Sequence, residues 1–536
     1  MKRYRWATAG DVNAFFGLML DNIADLFLTV SLLAGFFEFP ATFAFHYMIP
    51  GTAIGVLVGD LVFSAMAFRL ARRTGRQDVT AMPLGLDTPS TFGMAFFVLG
   101  PAFLAAKAAG LSPEEAARHT WHIGICAIFV SGLFKLLCAL GSNWIRRVIP
   151  RAGLLGSLAA IALVLISFLP LLEIMRSPLV GLVALAVILT TLVARVELPA
   201  RVPGALGALL VGTAMFYLMR WLNLPLGEVE VAALNPADAL WPVAWLEVFR
   251  FEWLSAMDDT LRYLPIVLPF ALATVVGGID CTESAAAAGD EYDTGRIVAV
   301  EGAATLLAAL CGGVIQTTPY IGHPAYKAMG GRAAYTIATA LFVGSAGVCG
   351  YFAYFYEFIP KPAIYPILIF IGLEITAQSF HATPRKHYAA VALACTPAMA
   401  ALVVIYSDKL LGAAGLSIDD LAPPLAAEIQ SLRVVSNGFI VTSLLWASWL
   451  AALIDRRLVM AAAYAGTAAA CSLFGLIHSP VAGAALVLPW SLPENVPQAA
   501  LGQTPVYLAA GYAAVAMLLL AWAGWRGSAA PEDTAE

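Results

Sequence analysis

"TTPYIGHPAYKAMGG", residues 317–331, and "TAMPLGLDTPSTFG", residues 80–93, decide how this chain folds. Each opens on threonine and then interleaves proline and glycine, in surroundings that are otherwise long apolar runs. Proline removes a backbone donor and clashes with the preceding turn, so neither stretch is a continuous helix. Each also lies two apolar runs after a run bearing carboxylates: Asp21 and Asp25 in the first case, Asp280 and Glu283 in the second. Matched, broken segments in two halves of a membrane chain point to a transporter site where the halves meet.

Composition supports the membrane setting. Of 536 residues 60% are hydrophobic and 12% charged, about half the charged share of a soluble domain. Apolar spans are expected near 14–37, 44–68, 79–106, 121–142, 152–172, 178–196, 202–222, 263–287, 296–314, 316–328, 333–358, 362–381, 387–406, 435–454, 458–477 and 505–525. With no water in the bilayer core these must be helices, except where broken backbone lines a cavity. The first run is long enough to span, so no cleavable leader is expected. Most Lys and Arg fall on one side if the N-terminus is cytoplasmic, including Arg69, Arg72, Arg73, Arg76, Arg385, Lys386, Arg456 and Arg457. A multi-pass protein of the cell membrane with cytoplasmic N- and C-termini is the expectation, and the alternation requires 316–328 to cross. Lys135 is the one cation inside a span.

The fold class expected is an all-α polytopic membrane protein: a 7+7 inverted repeat with core and gate domains, two broken half-helix segments, and one or two extra C-terminal spans. An odd number of spans, seven, separates 14–37 from 263–287, so the halves have opposite orientations. The domains read as 1–150 (core, first repeat), 151–222 (gate, first repeat), 223–262 (a Trp-rich, acidic interfacial linker), 263–358 (core, second repeat), 359–480 (gate, second repeat) and 481–536 (an extra span and cytoplasmic tail). Residues 407–434 read as a second, shorter polar connector.

Ionisable groups inside a span cost several kcal/mol unless paired, protonated or wetted, so they are functional candidates. Glu283 leads, with Asp280 beside it, as a substrate-binding or proton-carrying carboxylate; the alternative is a helix ending at Gly277-Gly278 with both acids in water. Thr318, Tyr320, Gly322 and His323 belong to one broken segment and Asp87 and Thr88 to the other. Broken helices expose backbone groups and a half-helix dipole, able to hold a polar ligand. Asp21 and Asp25 share one helix face, and with Glu301 they are candidates for coupling to H+ or Na+. Asp60 is a further lone acid, and some of these acids must be structural partners of Lys135 or of backbone groups. The seven cysteines all lie in apolar stretches without CxxC spacing, so they read as small buried hydrophobes. No phosphate loop, HExxH, Cys/His set or nucleophile elbow appears; neither enzyme activity, cofactor, metal nor nucleic-acid partner is expected.

The run "VEGAATLLAALCGGVIQTTPYIG", 300–322, resembles the acidic-Gly, Gly-Gly, Thr-Thr-Tyr pattern of the nucleobase–cation symporter (nucleobase–ascorbate, xanthine/uracil permease) superfamily. "GIDCTESA" is similar to a signature of its adenine/guanine/hypoxanthine permease branch, as are "MGGRAAYTIATALF", "IPKPAIYPILIFIGLEI" and "SGLFKLLCALGSNWIRRVIPRAGLLG". The resemblance implies fourteen spans, a substrate between the third and tenth, Glu283 as the eighth-span carboxylate, Glu301 as the ninth-span acid, and often a homodimer. The chain departs from that pattern at Gly322, His323 and Pro324, where the family carries Glu or Gln, and at Met19-Leu20, where many members carry Gln-His.

The function expected on this reading is a permease importing a small planar heterocycle, a purine, pyrimidine or azole, with H+ or Na+ by alternating access. An organic-anion or carboxylate transporter on the same fold is the alternative; it needs a positive site, and the broken segments hold Asp87 and no Arg. An intramembrane aspartyl enzyme is the remote alternative.

Overall fold

A computed structural model describes residues 4–148, 150–199, 202–225, 235–320, 322–481 and 504–528. The first half runs α1 (Gly10–Phe37), α2 (Ala41–Thr74), β1 (Leu84–Leu86) leading into α3 (Thr88–Ala108), α4 (Pro113–Val148), α5 (Arg151–Arg176), α6 (Pro178–Val193) and α7 (Gly204–Trp221). The second repeats that order: α8 (Leu264–Ala287), α9 (Thr294–Leu310), β2 (Thr317–Pro319) leading into α10 (His323–Ala328), α11 (Ala334–Val348) with α12 (Phe352–Phe358), α13 (Lys361–His381), α14 (Tyr388–Ala414), and α15 (Pro423–Ser436) with α16 (Phe439–Ile454). In both halves the third crossing is the broken one, so the order is seven plus seven, with α17 (Leu458–Leu473) and α18 (Thr504–Ser528) beyond it. Among the described residues ten helices are long and apolar enough to cross a membrane, or up to twelve if each bent pair counts once. This is a multi-pass membrane protein.

Prolines and glycines explain the irregularities. Wide, π-type turns at Ala44–Met48, Ala95–Leu99 and Ala162–Ser167 each lie just ahead of a helix proline, Pro50, Pro101 and Pro170; the extra residue absorbs the bond that proline cannot make. The run 333–358, expected as one span, bends by 88° between α11 and α12. The bend falls at Gly350, whose φ is +81° and whose Cβ would sit 1.9 Å from the Ala239 carbonyl oxygen. The polar stretch 407–434 is more helical than its composition suggests. α14 runs on to Ala414, where Gly415 in the left-handed region ends it, and Pro423-Pro424 then starts α15. The connector 223–262 contains short 3-10 turns at Pro236–Ala239, Val243–Arg250 and Glu252–Ala256, while its residues 226–234 lie outside the described ones. So do 482–503 and 529–536 of the expected C-terminal region.

The chain forms two compact units. One comprises residues 1–145 and 166–371, the other 146–165 and 372–536. In the first, α1 is the central element, with 89% of its apolar window buried. Beside it, α2 packs against α9 and the loop after it through a stripe of small residues, Gly51, Gly55 and Gly59, and against α11 at Gly344 and Gly347. A Cβ at Gly51 would meet the Cys311 carbonyl oxygen at 2.2 Å, and one at Gly55 the Ala308 side chain at 2.7 Å. Small residues let membrane helices approach closely, where packing and hydrogen bonds replace the hydrophobic drive. In the second unit α14 packs on α16 and on the first part of α5, and α17 on α18. That unit contains a clasp, in which Trp446 Nε1 donates to the Tyr512 hydroxyl at 2.7 Å and His478 Nε2 lies 2.8 Å from the same oxygen.

Candidate functional site

The two broken segments meet. β1 and β2 form an antiparallel ribbon with Leu84 opposite Pro319, Gly85 opposite Thr318 and Leu86 opposite Thr317. It is extended at its ends by Asp87 N–H to the Gln316 carbonyl (3.1 Å) and Tyr320 N–H to the Pro83 carbonyl (2.9 Å). Antiparallel pairing is what inverted segments allow when they meet end to end. The ribbon has only two strands, so its outward backbone groups need partners from the helices around it.

Those partners are polar side chains of the surrounding helices. On one edge Asp60 Oδ1, from α2, accepts the Leu84 N–H at 2.9 Å, and Asn22 Oδ1, from α1, accepts the Leu86 N–H at 3.1 Å. On the other edge the Lys135 ammonium, from α4, donates to the Thr317 carbonyl at 2.8 Å, and Thr305 Oγ1, from α9, accepts the Thr317 N–H at 3.2 Å. Lys135 Nζ also lies 2.9 Å from Glu301 Oε1, and both side chains are fully buried. Gly278 makes room for that carboxylate: a Cβ there would stand 2.6 Å from Glu301 Oε2 and 3.5 Å from Pro319. The Gly277-Gly278 pair therefore does not end α8, which continues to Ala287. Asp280 and Glu283 are half-buried along that helix, and between them Cys281 Sγ donates to the Pro319 carbonyl at 3.3 Å.

Where the ribbon turns into α3, Asp87 caps the helix, its Oδ2 accepting the Ser90 N–H at 2.9 Å. Thr88 Oγ1 donates to Asp25 Oδ2 at 2.9 Å. Asp21 approaches the backbone at Gly85, where a Cβ would come 3.3 Å from its Oδ2. The site residues Asp21, Asp25, Asp87, Thr88, Thr318 and Glu301 thus gather on or around the ribbon. Tyr320 continues β2, and its ring stacks on Tyr326 at 6.0 Å. Gly322 lies beneath that pair, where a Cβ would meet the Tyr320 ring at 2.5 Å and Tyr326 at 3.0 Å.

His323 goes elsewhere. Its Nε2 lies 3.2 Å from the Thr80 carbonyl and 3.3 Å from Asp290 Oδ2. Asp290 is fully buried and also meets Lys327 Nζ at 2.5 Å, Arg76 Nη1 at 3.2 Å and the Thr80 N–H at 3.0 Å. Burial pushes its carboxyl up, but the hydrogen bonds from His323, Lys327 and Thr80 and the Lys327 charge outweigh this and hold it below the usual carboxylate range. The cluster ties the lead-in to β1 to the start of α10, fixing both broken segments at one end.

Asp60 and Lys135, which hold the ribbon, stood out only as a lone acid and a lone cation inside spans, and Asn22 was not a candidate. Their sequence signal was present: a polar residue in the middle of an apolar run.

No family model matches the chain and no curated protein does. Solved structures of similar fold include the transmembrane domain of a cyanobacterium bicarbonate transporter, BicA (TM-score 0.46, 14% identity, 75% of this chain and 96% of that one). Two others are SLC26A9 (0.46, 10%, 73% and 62%) and the murine Slc26a9 anion transporter in its inward-facing state (0.41, 10%, 74% and 66%). The chain thus spans less than two thirds of the length of the two SLC26A9 structures. The resemblance to nucleobase–cation symporters is corrected by these findings: the three structures named are a bicarbonate transporter and SLC26A9, and none of them is a nucleobase carrier. One of its five runs, 300–322, leads into a broken crossing, whose Pro, Gly and Thr serve any chain that must interrupt a membrane helix.

Proposed function

We propose that this protein is a secondary active transporter of a small anion, inorganic or carboxylate, with Lys135 as the positive pole of its site. The carrying observation is the buried Lys135 ammonium on the carbonyl of the broken ribbon. The broken segments lack a cation of their own at the crossing, and α4 supplies it. A reading as a carrier of planar heterocycles is less well supported, because its second hydrogen-bonding position is Gly322 and His323 is engaged by Asp290. Bicarbonate and other anions, the substrates named for structures of similar fold, are the first to try. In this reading the ribbon and its helices form the substrate-bearing core, with the N-terminus and the Arg69–Arg76 end in the cytoplasm.

The test is uptake into proteoliposomes of labelled bicarbonate, sulfate and succinate, with uracil and xanthine in parallel. We expect uptake of at least one anion and its loss by about tenfold or more (about 1.4 kcal/mol) in Lys135→Met. Uptake of a nucleobase and of no anion overturns the proposal.

A further inference from the structure

Asp21 and Asp25 lie one turn apart on α1, 3% and 0% exposed, on the face that meets the β1–α3 turn. Asp25 Oδ2 has the Thr88 hydroxyl, but Asp21 Oδ1 and Asp25 Oδ1 are both buried without a hydrogen-bond partner. Among the described residues no Lys, Arg or His forms an ion pair with either; Lys135, the cation of this region, is engaged by Glu301 and Thr317. Asp87, on the β1–α3 turn, and Tyr326, on α10, also face them. Neither can neutralise a carboxylate. Two adjacent ionised carboxylates in an apolar interior, with acids for neighbours and unsatisfied oxygens, are excluded by desolvation and mutual repulsion.

We infer that Asp21 and Asp25 form the binding site for the coupling ion, and that the ion is a proton carried with the anion. The inference rests on the transport reading above. The step is simple in balance: a hydronium on one side of the membrane gives its proton to a carboxylate oxygen of the pair, leaving water, and the carboxyl returns a proton to water on the other side. A metal ion suits the geometry less well. A hard cation takes about six oxygens; two carboxylate oxygens are free here, and among the described residues no group of three or more His, Cys, Asp or Glu stands ready to hold an ion. Thr88 links the pair to the turn from which α3 starts, so the proton's presence is felt at the ribbon.

Two measurements test this, one independent of transport. Infrared difference spectra of the lipid-reconstituted protein, wild type minus Asp21→Asn and wild type minus Asp25→Asn at pH 7, should contain the C=O stretch of a protonated carboxyl. In vesicles loaded with a pH dye, an inward gradient of sulfate or succinate should acidify the lumen. Asp25→Asn should reduce that acidification about tenfold, while Asp25→Glu, which keeps a titratable group, should retain its pH dependence. Absence of the carboxyl band in both spectra overturns the inference, as does anion uptake that needs Na+ at constant pH or moves no protons. Absence of uptake for every anion with the band present refutes the transport reading instead, and leaves a protonated pair with no cargo to couple.

Discussion

Lys135→Met should be among the most damaging single changes in the molecule, and the damage should be reversible by a second change. Lys135 and Glu301 are both fully buried and 2.9 Å apart. Removing the lysine leaves a carboxylate without its cation and takes a charged donor from the Thr317 carbonyl. Breaking a buried pair from one side costs about 3–5 kcal/mol, because the remaining charge is uncompensated. Thr305 Oγ1 also lies 3.3 Å from the Thr317 carbonyl, so that carbonyl keeps a partner and adds little. Glu301 can take up a proton, which sets the cost toward the lower end of that range. In Lys135→Met with Glu301→Leu, no charge remains to be left alone, and apolar replacement of a buried pair is commonly neutral or better. The double variant should lie within about 1 kcal/mol of the wild type, so the two single costs should exceed the double by about 3 kcal/mol or more. The assay is reversible unfolding in mixed detergent–SDS micelles, followed by circular dichroism. Lys135→Met within about 1 kcal/mol of wild type, the value for a solvated pair, would refute the reasoning, since it would mean that water reaches both groups. The double variant carries a second expectation: it folds and transports no anion, separating the pair's structural part from its part in binding.

Two further outcomes follow from the geometry. Asp290 has its carboxyl held below the ordinary range by its partners, so its contribution to stability is complete above the unfolded-state value and lost only as the pH falls through the depressed folded value. Melting of wild type against Asp290→Asn from pH 4 to 8 should therefore show a constant gap from about pH 5 upward, narrowing in acid; a gap that changes between pH 6 and 8 contradicts this. Gly51→Ala should sharply lower the yield of folded protein in detergent, because its Cβ would meet the Cys311 carbonyl oxygen at 2.2 Å and the Gly313 nitrogen at 2.3 Å. Gly412→Ala, with open space around that Cβ, is the control, and equal yields would refute the close-packing argument.

The broken crossings were legible because Pro and Gly act locally: Pro83 and Pro319 belong to the extended stretches, and Pro89 and Pro324 to the first turns of the helices that follow, where proline is tolerated. Their meeting was legible from the opposite orientation of the halves, the eighth span matching the first. Side-chain destinations were not. His323 was placed by its neighbour Gly322, yet it points to Asp290, which a loop brings in after α8. Asp290 stands beside the acidic Glu291 and Asp293, a composition that carries no sign of burial. Its burial depends on Arg76 and Lys327, cations remote in sequence. Asp60 and Asn22 hold backbone N–H groups, and a residue that accepts one such bond imposes no spacing on the chain. The family resemblance failed for a related reason: its short runs, such as the Gly, Pro and Thr of 300–322, describe how spans are packed and interrupted rather than what is carried through them.

A site with several acids is an unexpected place for an anion, and the charges show how the two fit together. The ribbon strands carry no ionisable residue. The positive end of α3, ordinarily an anion's resting place, is already capped by Asp87. Lys135 is offset by Glu301. With Asp87 partly balanced by the helix dipole, equivalent to about half a charge, whether an anion is welcome depends on Asp21 and Asp25. With one proton between them the pair repels it; with two, that repulsion is removed. Binding free energies are reciprocal, so if a proton on this pair strengthens anion binding, the anion must raise proton affinity by the same factor. On this reading the acids are the means by which a proton gradient is made to do work on the anion. The reciprocity is measurable: anion affinity in the wild type should rise as the pH falls, and Asp21→Asn with Asp25→Asn should bind the anion with an affinity that no longer follows the pH.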